Sequence, residues 1–399
     1  MLHISKLKLI NSEDIMSIFI IASLYIPSLF FRLLRKNIWL ICERIDSAQD
    51  NGWIFYQWVR NNHPKDNAYF VLDSDASSFD ANDDYMIKWG SLRHYLYYLS
   101  SDIFVTSMFN KPRPNVRVCS YFEMLRVRKP KVMYIRHGIC QHGLEEHLYK
   151  ILKVRLFVCG AKREYQYFID EGDYPDGYVQ YTGFARYDDL LNGSHDGKYI
   201  LIIPTWRRYL KDNTCLDKCR ADFIQSNYYN TYVSLLNNET LLSIAKDNGY
   251  YIKFCLHKEF RVFQDLFDKI RPEIELVGED ESIHQLLMGA SLVVTDFSSI
   301  FFDVAYMHKP VLYYHFDLIE YRQKHFSEGY FSYENDGFGP IALTEDELIQ
   351  NIKNHLNNGV FEMKQYYKER VDSFFELRDN HNCERIYNAI KQIECNIHQ

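Results

Sequence analysis

The chain has 399 residues, 47% of them hydrophobic and 16% aromatic. That is enough apolar surface for two cores, and it excludes a disordered protein. A net charge of −7 excludes a general electrostatic partner for nucleic acid, so anions must be held by local features. Nine cysteines are scattered with no framework and no zinc spacing, which fits a reduced, cytosolic chain with no metal site.

Between Asp14 and Arg32 lie seventeen uncharged residues, IMSIFIIASLYIPSLFF. As a helix they would reach about 25 Å, a little less than the ~30 Å hydrocarbon core, with Pro27 as a weak point. Glu13 and Asp14 stand where a signal peptide carries positive charge, and Arg32, Arg35 and Lys36 follow the segment directly. A buried packing helix and a membrane-associating helix both fit. The cations favour the second, on an anionic membrane surface at the cytoplasmic face, peripheral or monotopic.

Short apolar runs then alternate with amphipathic stretches. NIWLIC (37–42), AYFVLD (68–73), DIFVTS (102–107), KVMYIR (131–136) and LFVCG (156–160) read as buried strands, with helices over 53–61 and 92–99. LLNGSHDGKY (190–199) reads as a linker. A second alternation follows in KYILIIPTW (198–206), YYIKFCLH (250–257), IELVG (274–278), SLVVTD (291–296) and KPVLYY (309–314). Helices are expected over 228–248, 282–289 and 299–308, and a mainly helical tail over 344–393. Strands alternating with helices imply an α/β chain with two doubly wound parallel sheets. The expected division is a membrane-associating segment over 1–36, an acceptor-side α/β domain over 37–192, a donor-binding α/β domain over 193–375 and a C-terminal helix over 376–399. In such sheets ligands bind outside the carboxyl ends of the strands, so two facing domains would share one cleft.

The chemistry-bearing residues fall at those ends. VVTDFSSIFFDVAYMHKPVLYY (293–314) closes a strand with Thr295-Asp296 and starts a helix at Ser298-Ser299, where unpaired backbone N–H groups and hydroxyls suit a phosphate. A well-capped helix without a ligand fits the same spacing, and Asp303 one turn later would face solvent or a ligand hydroxyl. His137-Gly138 follow a strand, where a histidine serves either a turn or general-base work and glycine admits a close backbone approach. Thr205, Trp206, Arg207 and Arg208 follow Pro204; Arg207 is the candidate phosphate clamp and Arg208 a solvated surface residue. His257 ends another strand beside Lys258, and Gly183, Arg186 and Asp188 lie in TGFARYDDL (182–190) before the linker. The spacing of His142 and His147 does not put two rings on one helical face. The common nucleotide, zinc-protease and serine-hydrolase motifs are absent, and Asp73-Ser74-Asp75, the one formal D-x-D, reads as a solvated loop.

These blocks, in this order, resemble the CDP-glycerol glycerophosphotransferase family, which primes or polymerises poly(glycerol phosphate) in teichoic acids and related capsules. TDFSSIFFDVAYMHKPVLYYHFDLIEY is similar to its T-D-Y-S-S-x-x-x-D block, Arg136-His137-Gly138 to its W-H-G, Pro204-Thr205-Trp206-Arg207 to its P-T-W-R, and TGFARYDDL to its G-x-P-R-x-D. The resemblance runs from about Leu33 to about Asn351. It implies a glycosyltransferase B-type fold, no metal and no cofactor, and a CDP-glycerol or similar CDP-polyol donor. It also implies a lipid-linked or polysaccharide acceptor and attachment to the cytoplasmic face of the membrane. By position, His137 would deprotonate the acceptor hydroxyl, and His257, Arg207, Ser298 and Ser299 would hold the diphosphate as CMP leaves. Thr295 and Asp296 would shape the site. Arg136 in place of an aromatic residue, and the lack of Lys or Arg soon after His-Gly, bear on the acceptor; Phe297 for Tyr and Ala185 for Pro are tolerable. Two other readings stand beside this one, a glycosyltransferase with a sugar nucleotide donor and a non-catalytic membrane scaffold.

Overall fold

The structure is a computed structural model and describes residues 11–108, 112–125, 130–193, 195, 197–211, 216–278, 281–325 and 328–395. The first sheet comprises β1 (Trp39–Cys42), β2 (Ala68–Leu72), β3 (Met86–Lys88), β4 (Ile103–Thr106), β5 (Lys131–Tyr134), β6 (Leu156–Cys159) and β7 (Val179–Tyr181). They pair in the order 3-2-1-4-5-6-7, every pair parallel. The second comprises β8 (Tyr199–Ile202), β9 (Tyr251–Phe254), β10 (Ile274–Leu276), β11 (Leu292–Thr295), β12 (Val311–Tyr314) and β13 (Ile341–Ala342), in the order 10-9-8-11-12-13, also all parallel. Central strands such as WLIC and LVVT are buried at every position, as helices on both faces require.

Each strand order reverses once, between β1 and β4 in the first sheet and between β8 and β11 in the second. Those are the switch points beside which crevices open. The two cores merge: Tyr187 stacks on Tyr306 with ring centroids 4.1 Å apart, and a single apolar cluster runs from Trp39 to Ile393.

Two sequence expectations change, and the mainly helical tail gains detail. The stretch 190–199 is only partly a connector, because Leu190 to Gly193 complete the helix Arg186–Gly193 and Leu190 is fully buried; residues 194 and 196 lie outside the described residues. The helix expected over 228–248 is two, Asn227–Leu236 and Glu239–Asp247, split where Asn238 caps the second through Leu241 N. The tail is helical over Glu345–Asn354, Gln365–Phe374 and Asn382–Cys395, with a small hairpin at Leu356–Asn357 and Val360–Phe361. Its last helix returns to the first sheet, where Trp39 Nε1 donates to Glu394 at 2.9 Å and Tyr387 stacks on His63 at 3.8 Å.

The N-terminal helix, Ser12–Leu34, is long and apolar enough to cross a membrane. It lies along the first domain rather than projecting from it. Ser17 bonds Tyr95 OH at 2.6 Å, Ser100 donates to the Ser28 carbonyl, and Arg32 pairs with Asp102. The opposite side leaves Phe19, Ile26, Phe30, Leu33 and Leu34 exposed.

Candidate active site

The strand ends of both sheets enclose a cleft of about 530 Å³. From the first domain it takes the loop after β5, including His137, Gly138, Glu145 and Glu146. From the second it takes Thr205, Trp206 and Arg208 after β8, His257 after β9, and Phe297, Ser298 and Ser299 after β11. Residues separated by more than 150 positions therefore meet, as expected of strand-end loops from two facing domains. A Cβ added at Gly138 would lie 3.5 Å from Ser299 Oγ, so the His-Gly and serine loops almost touch across the domain boundary. Gln141 ties the same two loops together, donating to the Phe297 carbonyl at 2.6 Å.

The second domain's half of the cleft is built on a buried ion cluster. Arg207 is fully buried; its Nε and Nη2 donate to Asp317 at 2.7 and 2.9 Å, and Nη2 also donates to Asp296 at 2.8 Å. Its Nη1 donates to the Thr205 carbonyl at 2.8 Å. The expected phosphate clamp is thus committed to two carboxylates beneath the site, and Arg208, expected to be a solvated surface residue, lines the cleft wall. Asp296 also accepts from Thr205 N and Phe297 N, and Thr295 Oγ1 donates to the Ile203 carbonyl, so this pair fixes the two loops from below.

Above the cluster, Ser298 and Ser299 precede the helix Ile300–Tyr306, and neither hydroxyl caps it by the usual side-chain bond to its third residue. Among the described residues Ser298 Oγ accepts a long contact from Ile300 N at 3.4 Å. Thr205 Oγ1 is buried and has no partner among the described residues. His257 accepts at Nδ1 from Glu259 N, which leaves the proton of the neutral ring on Nε2. Burial holds its pKa down at about 4, despite Asp296 nearby, so it is a neutral N–H donor at physiological pH.

His137 is exposed to the cleft, yet the protein crowded around it still lowers its pKa by desolvation. Asp50 opposes that effect, Arg136 and Arg186 add to it, and a hydrogen bond to the Ser107 backbone holds one ring nitrogen as donor. The other nitrogen is then the basic one. Arg136 has positive φ (57°), is almost fully buried and pairs with Glu164 at 2.6 Å over the rings of Phe157 and Phe168. Its guanidinium is therefore committed to Glu164, and the acidic Glu145 and Glu146 line the same side of the cleft.

Two further expectations are revised. Asp303 faces neither solvent nor cleft: it is buried and receives both prongs of Arg186, at 2.9 and 3.0 Å. Gly183 lies outside the cleft, against the C-terminal helix, where φ is +75° and a Cβ would collide with Asn382. Sequence reading missed Asp317, Tyr321 and His325. Asp317 sits within the HFDLIEY stretch, whereas His325 carried no signal beyond its residue type.

Two parallel α/β domains facing across a strand-end cleft define the glycosyltransferase B-type architecture. The model for CDP-Glycerol:Poly(glycerophosphate) glycerophosphotransferase matches residues 176–392, just over half of the chain. The chain belongs to that family. It is 31% identical over 379 residues to the minor teichoic acid biosynthesis protein GgaB of Bacillus subtilis (strain 168), covering 91% of this chain and 40% of that protein. It is 27% identical over 212 residues to the teichoic acid poly(glycerol phosphate) polymerase of the same strain, covering 51% of this chain and 25% of the polymerase. A structure of the wall teichoic acid polymerase TagF with CDPG shares the fold, with a TM-score of 0.64 at 16% identity over 95% of this chain and 98% of that one. The chain thus spans well under half the length of these curated relatives.

Proposed function

We propose that the chain transfers glycerol phosphate, or a related polyol phosphate, from its CDP carrier to a hydroxyl of a growing surface polymer. The observation that carries this reading is the meeting of His137 and Gly138 with the Ser298-Ser299 loop, Thr205 and His257 in one cleft. His137 takes the acceptor hydroxyl proton as that oxygen attacks the phosphorus bearing the polyol. The phosphoanhydride bond breaks and its electron pair leaves on CMP. Thr205, Ser298, Ser299 and Arg208 offer donors to the diphosphate oxygens, and His257 Nε2–H adds one as charge builds on the leaving group. Phosphoryl transfer needs mainly positioning and charge stabilisation, so no nucleophilic side chain is required. The TagF structure with CDPG supports the donor class by analogy of fold.

The test is CMP release from purified protein given CDP-glycerol or CDP-ribitol, with membrane extract as acceptor and sugar nucleotides in parallel. Release from a CDP-polyol, falling about 10²–10⁴-fold in His137→Ala, is the expected result. A sugar nucleotide is the second reading of the donor, because the departures around His137, with Arg136 before it and no Lys or Arg soon after, leave room for it. Turnover of a sugar nucleotide alone would replace the CDP-polyol by that donor on the same cleft. Equal biological activity of wild type and His137→Ala would instead indicate a scaffold.

We infer further that the outer side of the helix Ser12–Leu34 rests in the cytoplasmic face of the membrane. Phe19, Phe30, Leu33 and Leu34 form an apolar side that is exposed among the described residues, and Arg32, Arg35 and Lys36 follow at its end. Because the inner side is pinned to the first domain, the helix lies in the plane of the surface, where a lipid-linked acceptor would be presented.

A further inference from the structure

We propose that Arg186 is the positioning residue of the transfer: it holds the loop of the candidate base at a fixed distance from the serine loop and so makes domain arrangement and base placement one event. This rests on the cleft's being the transfer site. Arg186 begins a helix of the first domain, and Asp303 sits on the helix that follows Ser298 and Ser299 in the second. The guanidinium reaches Asp303 through Nε and Nη2, and its remaining nitrogen, Nη1, donates to the His137 carbonyl at 2.6 Å and to Asp50 at 2.9 Å. The same loop is gripped from the other side, since Asn51 Nδ2 donates to the Arg136 carbonyl at 2.8 Å while Asn51 Oδ1 accepts from Arg186 N at 2.9 Å. Arg186 and Asp303 are almost entirely buried, so water cannot stand in for either.

A planar fork of five N–H groups can meet a carboxylate with two bonds and still turn a third nitrogen to a carbonyl, whereas an ammonium cannot. The position therefore asks for arginine in particular. An arrangement with the domains apart would strip Arg186 from Asp303 and leave its guanidinium held only by Asp50 and the His137 carbonyl, so the loop of the base would lose its tie to the serine helix. The charges act on the ring as well. Arg186 and Arg136 disfavour a proton on His137, Asp50 at the start of the helix Asn51–Asn62 favours one, and His147 faces it from the same loop. A base must be neutral to accept the acceptor proton; desolvation is the main cause that keeps it so, and Arg136 and Arg186 add to it.

The experiment compares wild type with Arg186→Lys, Arg186→Gln, Asp303→Asn and Asp50→Asn, reading kcat and donor KM together with the His137 imidazole titration by NMR on histidine-labelled protein. Expected are a fall of tenfold or more in kcat with donor KM within about twofold for Arg186→Lys and Asp303→Asn. The His137 titration should move up in Arg186→Gln and down in Asp50→Asn. Asp50 is partly exposed, so its variant should fold even if Arg186→Gln does not. A His137 titration unmoved in Asp50→Asn and in folded Arg186→Gln, or kcat retained in Arg186→Lys, would overturn the proposal. The titration needs no substrate. A wild type that turns over no donor would therefore sink the transferase reading alone, and unchanged titrations in an active enzyme would sink this one.

Discussion

Arg207 and Arg208 are neighbours in sequence and opposite in fate. Their alternation at the end of β8 turns one side chain into the domain and the next toward the cleft, and a burial pattern of a single loop cannot announce which. What decides it is Asp317, 110 residues away, which meets Arg207 at 2.7 Å. Asp317→Ala should cost about 3–5 kcal/mol, because a buried guanidinium loses its bidentate partner. Arg208→Ala should leave stability within about 0.5 kcal/mol and weaken donor binding about tenfold or more, the worth of one charge-assisted contact. Urea unfolding and donor titration separate the two, and equal destabilisation by both would contradict the assignment. The same limit explains Asp303 and Arg136. Sequence spacing brought each to a strand end or first helical turn, which was correct, but only the fold says whether a charged side chain there looks into the cleft or into a buried partner. His137, Gly138, His257 and the serine pair were legible because strand-end position and residue type agreed.

Among the elements, the long apolar strands could be read directly, while β3, β7 and β13 could not. MIK, VQY and IA are too short to show a period, and they are strands because a neighbour supplies a paired edge. Gly183 was placed in the wrong role for a related reason: its partner is the C-terminal helix, 199 residues on. Gly183→Ala should destabilise by more than 2 kcal/mol, from a left-handed φ and a collision with Asn382, while leaving donor KM near wild type. Thermal unfolding alongside kinetics checks it, and a KM effect without a stability loss would return Gly183 to the site. The N-terminal helix was legible in extent, and its lie against the first domain follows from Ser17, Ser28 and Arg32, polar residues that a purely lipid-facing helix would not keep on one side. Phe30→Ser should lose about 1.5–3 kcal/mol of membrane affinity, roughly 10- to 100-fold in partitioning onto anionic vesicles. Cosedimentation reads this directly; unchanged partitioning would mean that the exposed side meets something other than lipid.

At the scale of the whole molecule, two α/β domains locked together by buried polar groups carry an acid sensitivity that no single motif suggests. Burial holds His94, His147 and His325 down at about 3, and His142, His257 and His315 at about 4. A histidine whose folded pKa lies below its unfolded value of ~6.5 is neutral in the fold and charged when unfolded. The unfolded chain therefore binds more protons between those values, and stability falls as pH drops from about 6.5 toward 4. Each such group contributes at most about 1.4 kcal/mol per pH unit within that window, so several acting together outweigh most single interactions. Glu43, raised to about 8 by burial and then by Asp50, has the opposite sign: its contribution is present at low pH and lost as pH rises toward 8. Asp303 and Asp317, also raised by burial, work in the same sense as Glu43. With six strongly depressed histidines against these three acids, urea midpoints should change little from pH 7.5 to 7, where Glu43 offsets the histidines, and then fall steadily from pH 6.5 to 5. A midpoint that stays flat or rises from pH 6.5 to 5 would mean that the histidines are solvated enough to titrate normally and that their surroundings are less enclosed than the packing implies.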